Sequence, residues 1–392
     1  MKILHLAHSD SVGGAATFTR RVHSALLKFD IESLVCCSSY SGGSSGYFRI
    51  SPSSTALDYF KAKTSQVLDA ALTKLEFTNI HSYKSPAWIG AVSSKWINES
   101  DFDVVHLHWI NGGLISIREI GKIRKPIVWS ALDMWPFLGA EHYPTNSSKQ
   151  KIRLGLDIDK ISRGLKAKHW TNRITFVAPS SWLADCAAST TGIAREDIHV
   201  IPAPIDVDLF APSLMNRHKF TIGYGGATSE RKGWGLFKSF LNTYSPELEG
   251  SEVILFGSPE SEIFASPFYE VKQMGRIRSN AELVEIYKRL DVLVFPSIQE
   301  AFGLIAQEAQ SCGVPVICLT GTGTTSIVEN GVTGLIIENS LKDLLVALNY
   351  IRGNRTKYND MSKKARARAI SHWREETVIG KYLKLYEFVA RH

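Results

Sequence analysis

Glu300 and Glu308 are the side chains whose type and spacing first suggest chemistry. Both fall in DVLVFPSIQEAFGLIAQEAQSCGVPVIC, from Asp291 to Cys318. A carboxylate accepts hydrogen bonds from sugar hydroxyls. The Ala301-Phe302-Gly303 step after Glu300 leads into a helix, and helix N-terminal amides and dipole suit phosphate oxygens. Spacing alone fits a plainer arrangement, because eight helical residues come back to within about 80° of the start and put both acids on one solvated face. The place of Glu300 in a strand-to-helix loop favours a crevice instead.

The elements that must hold these residues are legible around them. Val292-Leu293-Val294-Phe295 is an unbroken apolar run, the pattern of a strand buried on both faces. Pro296-Ser297 stop it. A helix of roughly ten residues is expected from about Phe302, ending at Cys312-Gly313 with the glycine as its cap. Val314 to Cys318 begins the next strand. Strand, helix and strand in that order make a right-handed crossover in a parallel sheet. Ligands of such sheets bind outside the carboxyl ends of the strands.

The run Pro296-Ser297-x-x-Glu300-x-Phe302-Gly303-x4-Glu308-Ala309-x3-Gly313-x-Pro315-Val316 resembles the Glu-x7-Glu signature of glycosyltransferase family 4. That family comprises retaining, nucleotide-sugar-dependent enzymes of the GT-B fold. The resemblance implies that Glu300 contacts the donor sugar and Glu308 the ribose hydroxyls, with Phe302 and Gly303 at the donor site. It also implies a diphosphate-binding role for Lys232, which stands before Gly233. An Arg common several residues earlier in the family is replaced around Gly226, and Arg231 is the obvious substitute. Gly275-Arg276-Ile277 occupies the segment that borders the nucleobase, so Ile277 joins the donor set.

The amino-terminal half reads as strand, glycine-rich turn, helix and strand over residues 1–37. The turn runs from Ser9 to Ala16, and Gly13 and Gly14 allow close backbone approach by a ligand. It is not a dinucleotide fingerprint, since the third glycine is missing. Family 4 chains carry a Gly-Gly loop here that faces the donor phosphates, which implies donor contacts for Gly13 and Gly14. Residues 38–100 read as a Ser- and Gly-rich loop and then a helix around Leu57–Leu75, an insertion of the kind that shapes an acceptor site.

Asp101 to Trp109 is a strand that points His106 and His108 to one face. They are either a core pair or ligand contacts at its carboxyl end. Pro126 to Ser130 begins another strand, which leads into Leu132-Asp133-Met134-Trp135. His108-Trp109-Ile110-Asn111, Asp133 to Phe137 and His142-Tyr143 are similar to bacterial surface-polysaccharide transferases within family 4. The likeness implies a catalytic Asp133 and acceptor contacts from His108 and Trp135. Those relatives read His-Asp-Met-Trp, and here Leu132 replaces a His that meets the sugar 6-hydroxyl. An apolar side chain at that place either packs under Trp135, with another group such as His108 meeting the hydroxyl, or favours a 6-deoxyhexose donor.

Composition bounds the rest. At 392 residues the chain exceeds one typical core, and a hydrophobic fraction of 44% with 21% charged residues is ordinary for a folded domain. No run of eighteen apolar residues exists, and Met1 to His8 enters a strand without the apolar segment of a signal peptide. Five cysteines, without metal-ligand spacing, read as reduced thiols of a cytosolic protein. A net charge of +7 and a pI near 9.0 suit an anionic membrane face or phosphorylated substrates. No nucleic-acid motif accompanies them, so no nucleic-acid partner is expected. The basic run from Lys149 to Trp170 is either a solvated helix or a patch for anionic lipid. Asp101/Asp103, Asp157/Asp159 and Asp206/Asp208 form Asp-x-Asp pairs; the first and third look like caps and turns. No metal or other cofactor is expected, because the resemblance implies that helix N-termini and basic side chains neutralise the leaving diphosphate.

The expectation is therefore an α/β protein with two Rossmann-like domains whose parallel sheets face a cleft. Residues 1–204 would bind the acceptor and residues 205–374 the nucleotide sugar, while residues 375–392 cross back as a helix. The implied activity is retaining transfer of a hexose to a saccharide or polyprenyl-diphosphate-linked acceptor in bacterial O-antigen, capsule or exopolysaccharide synthesis. The enzyme would be cytoplasmic, peripheral on the inner membrane face. A nucleotide-sugar epimerase of the same fold and an inactive sugar-nucleotide binding module are the alternatives.

Overall fold

The structure is a computed structural model that describes residues 1–42, 45–50, 55–78, 83–144, 153–170, 174–212, 219–257 and 265–391. The chain divides into two compact units, Met1–Pro204 with Val378–His392, and Ile205–Thr377. The first contains, in order, β1 (Lys2–Ser9), α1 (Gly13–Lys28), β2 (Glu32–Ser39), β3 (Tyr47–Arg49), α2 (Ala56–Leu72), β4 (Glu76–Thr78), α3 (Ser94–Glu99) and β5 (Val104–Leu107). It continues with α4 (Ile117–Ile120), β6 (Ile127–Ser130), β7 (Arg153–Gly155), α5 (Ile158–His169), β8 (Ile174–Ala178), α6 (Ser181–Thr191) and β9 (His199–Val200). The second contains β10 (Thr221–Gly225), α7 (Trp234–Thr243), β11 (Glu252–Phe256), β12 (Glu270–Gln273), α8 (Asn280–Arg289) and β13 (Val292–Phe295). Next come α9 (Leu304–Ser311), β14 (Val316–Leu319), β15 (Gly334–Ile337), α10 (Leu341–Gly353) and α11 (Arg355–Trp373), and the chain ends in α12 (Glu375–Arg391), which from Val378 belongs to the first unit.

Each unit is a parallel sheet with helical connections. The first sheet runs β3-β2-β1-β5-β6-β8-β9 and the second β12-β11-β10-β13-β14-β15. Strand order reverses between β1 and β5 and again between β10 and β13, the positions where such sheets open a crevice at their carboxyl ends. All four side chains of β13 are buried, a contribution of roughly 1.5–3 kcal/mol for each large apolar one. In the first unit Trp135, Trp170 and Phe176 pack on Trp129; in the second Tyr224 stacks on Phe237 beside Trp234.

Local geometry shifts three expected boundaries. Gly303 adopts φ +105 and caps α9, so the helix starts at Leu304 and has eight residues. Helix α1 starts at Gly13, inside the expected turn. Strand β5 keeps only Val104–Leu107 of the apolar run from Asp101 to Trp109. The five cysteines are free, and burial pushes the Cys37, Cys312 and Cys318 thiols up to about 12. Among the described residues no helix is long and apolar enough to cross a membrane.

Candidate functional site

In the second unit the loops after β10 and β13 meet across the reversal point. A short turn, Glu230–Lys232, ends at Gly233 with φ +72. A Cβ at Gly233 would run into the Pro296 carbonyl oxygen, so glycine alone lets this turn close on the end of β13. The closure pairs the Lys232 ammonium with the Glu300 carboxylate, both largely shielded from solvent. Lys232 also lies 5.6 Å from the Phe295 ring centroid. The exposed Arg231 donates to the Gln299 carbonyl at 3.1 Å. From behind, the Gly323 amide donates to the Glu300 carbonyl at 2.7 Å.

Glu308 sits inside α9 and is only 4% exposed. It accepts a 2.7 Å hydrogen bond from the Tyr287 hydroxyl. The two acids therefore do not share a solvated face: one carboxylate is at the loop with a cation, the other is buried in the helix behind it. A cation at such an edge can stabilise charge that develops on a departing diphosphate, and the carboxylate can orient hydroxyls.

In the first unit Asp133 follows β6. It accepts from Trp109 Nε1 at 2.9 Å and from the Trp135 amide at 2.9 Å, and it meets His142 Nδ1 at 2.5 Å. His142 Nε2 lies 2.9 Å from Ser85 Oγ. Above this chain, the exposed Tyr83 lies parallel to Trp109 at 6.4 Å and tilts over His142 at 4.7 Å. The buried Lys166 fixes the turn from beneath. Its ammonium donates to the carbonyls of Trp135, Leu138 (3.0 Å) and Gly139 (2.7 Å) and lies 3.5 Å from the Trp135 ring centroid. Burial lowers its pKa well below the usual lysine range, against the pull of Asp133 and Asp159.

Among the described residues, one group offers ligand atoms close enough together for a metal ion. The ring nitrogens of His5, His106 and His108 lie within 4.8 Å of one another. Four of their six ring nitrogens are engaged with the protein, while His5 Nε2 and His108 Nδ1 are buried without a hydrogen-bond partner. His5 Nδ1 meets His108 Nε2 at 2.9 Å, and His106 reaches Ser130 Oγ at 2.8 Å and the Tyr386 hydroxyl at 2.7 Å. Five of the six Asp-x-Asp acids accept local hydrogen bonds. Asp101 and Asp103 meet Lys2, Asp157 and Asp159 accept the Lys160 and Ala140 amides, and Asp206 accepts the Asp208 and Leu209 amides.

The family described as Glycosyltransferase Family 4 matches residues 12–209, just over half of the chain. The chain belongs to glycosyltransferase family 4. A second family, described as Glycosyl transferases group 1, matches residues 270–368, which include Glu300 and Glu308. Among curated relatives, D-inositol 3-phosphate glycosyltransferase 1 of Catenulispora acidiphila is 25% identical over 61% of this chain and 60% of its own length. The enzyme of Mycobacterium bovis with the same activity name is 26% identical over 67% of this chain and 57% of its own. The match thus spans about 60% of these relatives. Among solved structures, Anabaena HepE in complex with UDP superposes with a TM-score of 0.65 at 17% identity, over 99% of this chain and 100% of that one. Sucrose-phosphate synthase from Thermosynechococcus elongatus gives 0.67 at 15% identity over 99% of each. These likenesses show the fold, two parallel-sheet α/β domains of the GT-B class.

For this family 4 chain, the structure brings Lys232, Arg231 and Glu300 together and sets Glu308 behind them in α9. Phe302 is buried beside Gly303, and the half-buried Ile277 follows the Gly275 turn after β12. Gly13 and Gly14 lie exposed at the start of α1 in the first unit. Three placements change the first-unit assignments. His108 is 1% exposed, enclosed with His5, His106 and Phe18, so its ring faces the core and not an acceptor. Trp135 is likewise 1% exposed, its indole donating to the Ser85 carbonyl at 2.8 Å. Lys166 leaves the expected lipid-facing run for the interior, and Lys149, Lys151 and the Arg153 side chain lie outside what is described. Tyr83 and Ser85, absent from the sequence-based site, carry no local signal: Ser85 reaches Asp133 through His142, 57 residues further on, and Tyr83 through Trp109 and His142.

Proposed function

We propose that the protein is a retaining glycosyltransferase that moves a hexose from a nucleotide sugar to a saccharide or lipid-linked acceptor in bacterial surface-polysaccharide synthesis. The observation that carries this reading is the Lys232–Glu300 ion pair at the carboxyl edge of β10 and β13, with Glu308 buried behind it. The donor diphosphate would draw the Lys232 ammonium and the Arg231 guanidinium, which neutralise the charge of the leaving nucleoside diphosphate without a metal ion. Glu300 would hold the sugar hydroxyls, and Glu308 the ribose. Asp133, fixed by Trp109 and His142, would face the acceptor from the first unit. As the family resemblance implies, the acceptor would attack from the face that the diphosphate leaves. Leu132 is half-buried beside Asp133 and would suit a 6-methyl group in the donor. A lipid-linked acceptor would hold the enzyme at the cytoplasmic membrane face.

UDP donors are the first choice for a test, since the structurally similar HepE was solved with UDP. The assay offers matched hexose and 6-deoxyhexose donors with lipid-linked saccharide and inositol phosphate acceptors, with and without EDTA. Glycoside formation that survives EDTA and prefers the 6-deoxy donor is the expected result. Epimerised donor without a glycoside would establish the epimerase alternative, and nucleotide binding without turnover the inactive module. Loss in EDTA with recovery in Mn²⁺ would overturn the metal-free mechanism.

A further inference from the structure

Helix α2 is amphipathic the wrong way round for a solvated helix. Its buried positions are Asp58, Ala62, Ser65 and Asp69, small or polar, at the spacing of one helical face. The outward face holds Leu57, Phe60, Val67 and Leu68, exposed by 62%, 65%, 66% and 46%. The inward face has a local cause. A Cβ on Gly113 would run into the Ser65–Gln66 backbone, so the loop after β5 meets the helix main chain and leaves no room for large side chains. Among the described residues, nothing covers the outward face.

The charges on this element are sorted in the same way. Asp58 closes a capping box with Thr55, and the Asp69 carboxylate takes the amides of Ala87 (3.3 Å) and Trp88 (3.1 Å). Both acids of α2 are thus buried, while Lys61 and Lys63 are exposed. The surface continues past the helix. Lys74 and Leu75 are exposed, and the Leu75 carbonyl accepts the Leu156 amide at 3.0 Å, which brings exposed Leu156 and then α5 alongside. Helix α5 adds exposed Ile161, Lys160 and Lys168, and Asp157 at its start is spent as the N-cap.

We propose that the α2 face, continued through Leu75 and Leu156 to α5, docks the protein on a bilayer containing anionic lipid. Apolar side chains enter the acyl boundary and the lysines meet the headgroups, the division of labour of an interfacial helix. A second copy of the chain fits this face poorly. A twofold contact is self-complementary, and here it would set Lys61, Lys63 and Lys74 against the same cations with no exposed acid of α2 to answer them. The proposal deepens the transferase reading by naming the surface that meets the membrane, and it rests on that reading only for why a membrane should be met. Because α2 covers the loop after β5, docking brings lipid to the edge of the sheet that carries Trp109 and Asp133.

Co-sedimentation of the full chain with phosphatidylglycerol/phosphatidylcholine vesicles, against phosphatidylcholine alone, tests this without donor or acceptor. The protein should partition to the anionic vesicles. Lys61→Glu/Lys63→Glu and Leu57→Ser/Phe60→Ser should each lower partitioning by about tenfold or more. Tryptophan introduced as Phe60→Trp should shift its emission to the blue on vesicles and be quenched by bilayer-embedded quenchers. Unchanged melting temperatures and unchanged transfer to a short water-soluble acceptor separate docking from folding and from chemistry. The proposal fails if the anionic vesicles bind no better than neutral ones, or if neither double variant alters partitioning. It fails equally if Leu57→Ser/Phe60→Ser instead dissociates a dimer in sedimentation, which would give the face to a second copy. Failure of docking with transfer intact would leave the transferase reading standing.

Discussion

Removing the Glu308 carboxylate takes away a buried acceptor that the Tyr287 hydroxyl already uses, so a nucleotide would lose a group held in place before it arrives. Glu308→Ala should weaken nucleoside diphosphate binding by about 1–3 kcal/mol, the scale of a lost charge-assisted hydrogen bond. Lys232→Ala should cost more in kcat than Glu308→Ala does, because the charge it faces grows as the diphosphate departs. Titration calorimetry and steady-state rates check both statements; unchanged affinity in Glu308→Ala would remove the ribose assignment. Glu300 and Glu308 were legible in the sequence because their neighbours, from Pro296 to Val316, are as distinctive as the acids themselves. His108 and Trp135 misled for a physical reason. Alternation along a strand tells which residues share a face, but not whether another part of the chain covers it, and here His5, Phe18 and the Trp129 cluster do. His142 lay within a quoted motif, yet its partners Ser85 and Tyr83 come from a distant loop that no spacing rule connects to it.

At the scale of elements, the donor edge depends on turns that only glycine can make. Gly233→Ala forces a methyl group into the Pro296 carbonyl in addition to the strain of φ +72. Gly250→Ala is a matched control with φ +75 and nothing within 4 Å of the added carbon. The control should cost about 1 kcal/mol, the ordinary penalty of a left-handed L-residue. Gly233→Ala should cost more than that, and it should also reduce nucleotide affinity because the Lys232 turn can no longer close on β13. Chemical denaturation and calorimetry of the two variants side by side give the comparison; equal effects would mean that the turn does not position Lys232. Apolar runs located β13 and β14 from the sequence because burial on both faces leaves an unbroken hydrophobic string, and α9 was bracketed by the Pro296-Ser297 stop and the Gly313 cap. The start of α9 was missed by two residues because the φ of Gly303 is a property of the packed loop, set against Thr324 and Phe295, and not of local propensity.

At the scale of the molecule, two parallel sheets repeat one architecture, and the C-terminal helix completes the first unit by placing Tyr386 and Tyr382 on buried polar groups. Tyr386 reaches His106, and Tyr382 lies 2.9 Å from Ser130. This makes stability depend on keeping a histidine cluster neutral. Burial lowers the pKa values of His5 and His106 well below the usual histidine value and that of His108 to about 3. A base whose folded pKa is depressed binds fewer protons folded than unfolded. Its contribution is therefore complete above the unfolded value, near 6.5, and is lost as pH falls below it toward the folded value. Each such histidine adds a loss of up to about 1.4 kcal/mol per pH unit below that point. Asp69 works in the other sense: burial raises its carboxyl to about 6, so its cost, present in full above 6, is relieved as pH falls toward its unfolded value. Three histidines outweigh one aspartate, and the net stability should decline from about pH 6.5 downward. Urea denaturation across pH 7.5 to 4.5 should show that decline, and His108→Gln should flatten its slope even though it lowers stability at neutral pH by removing the His5 bond. A slope that stays the same in His108→Gln would show that the cluster is not what makes the fold sensitive to acid.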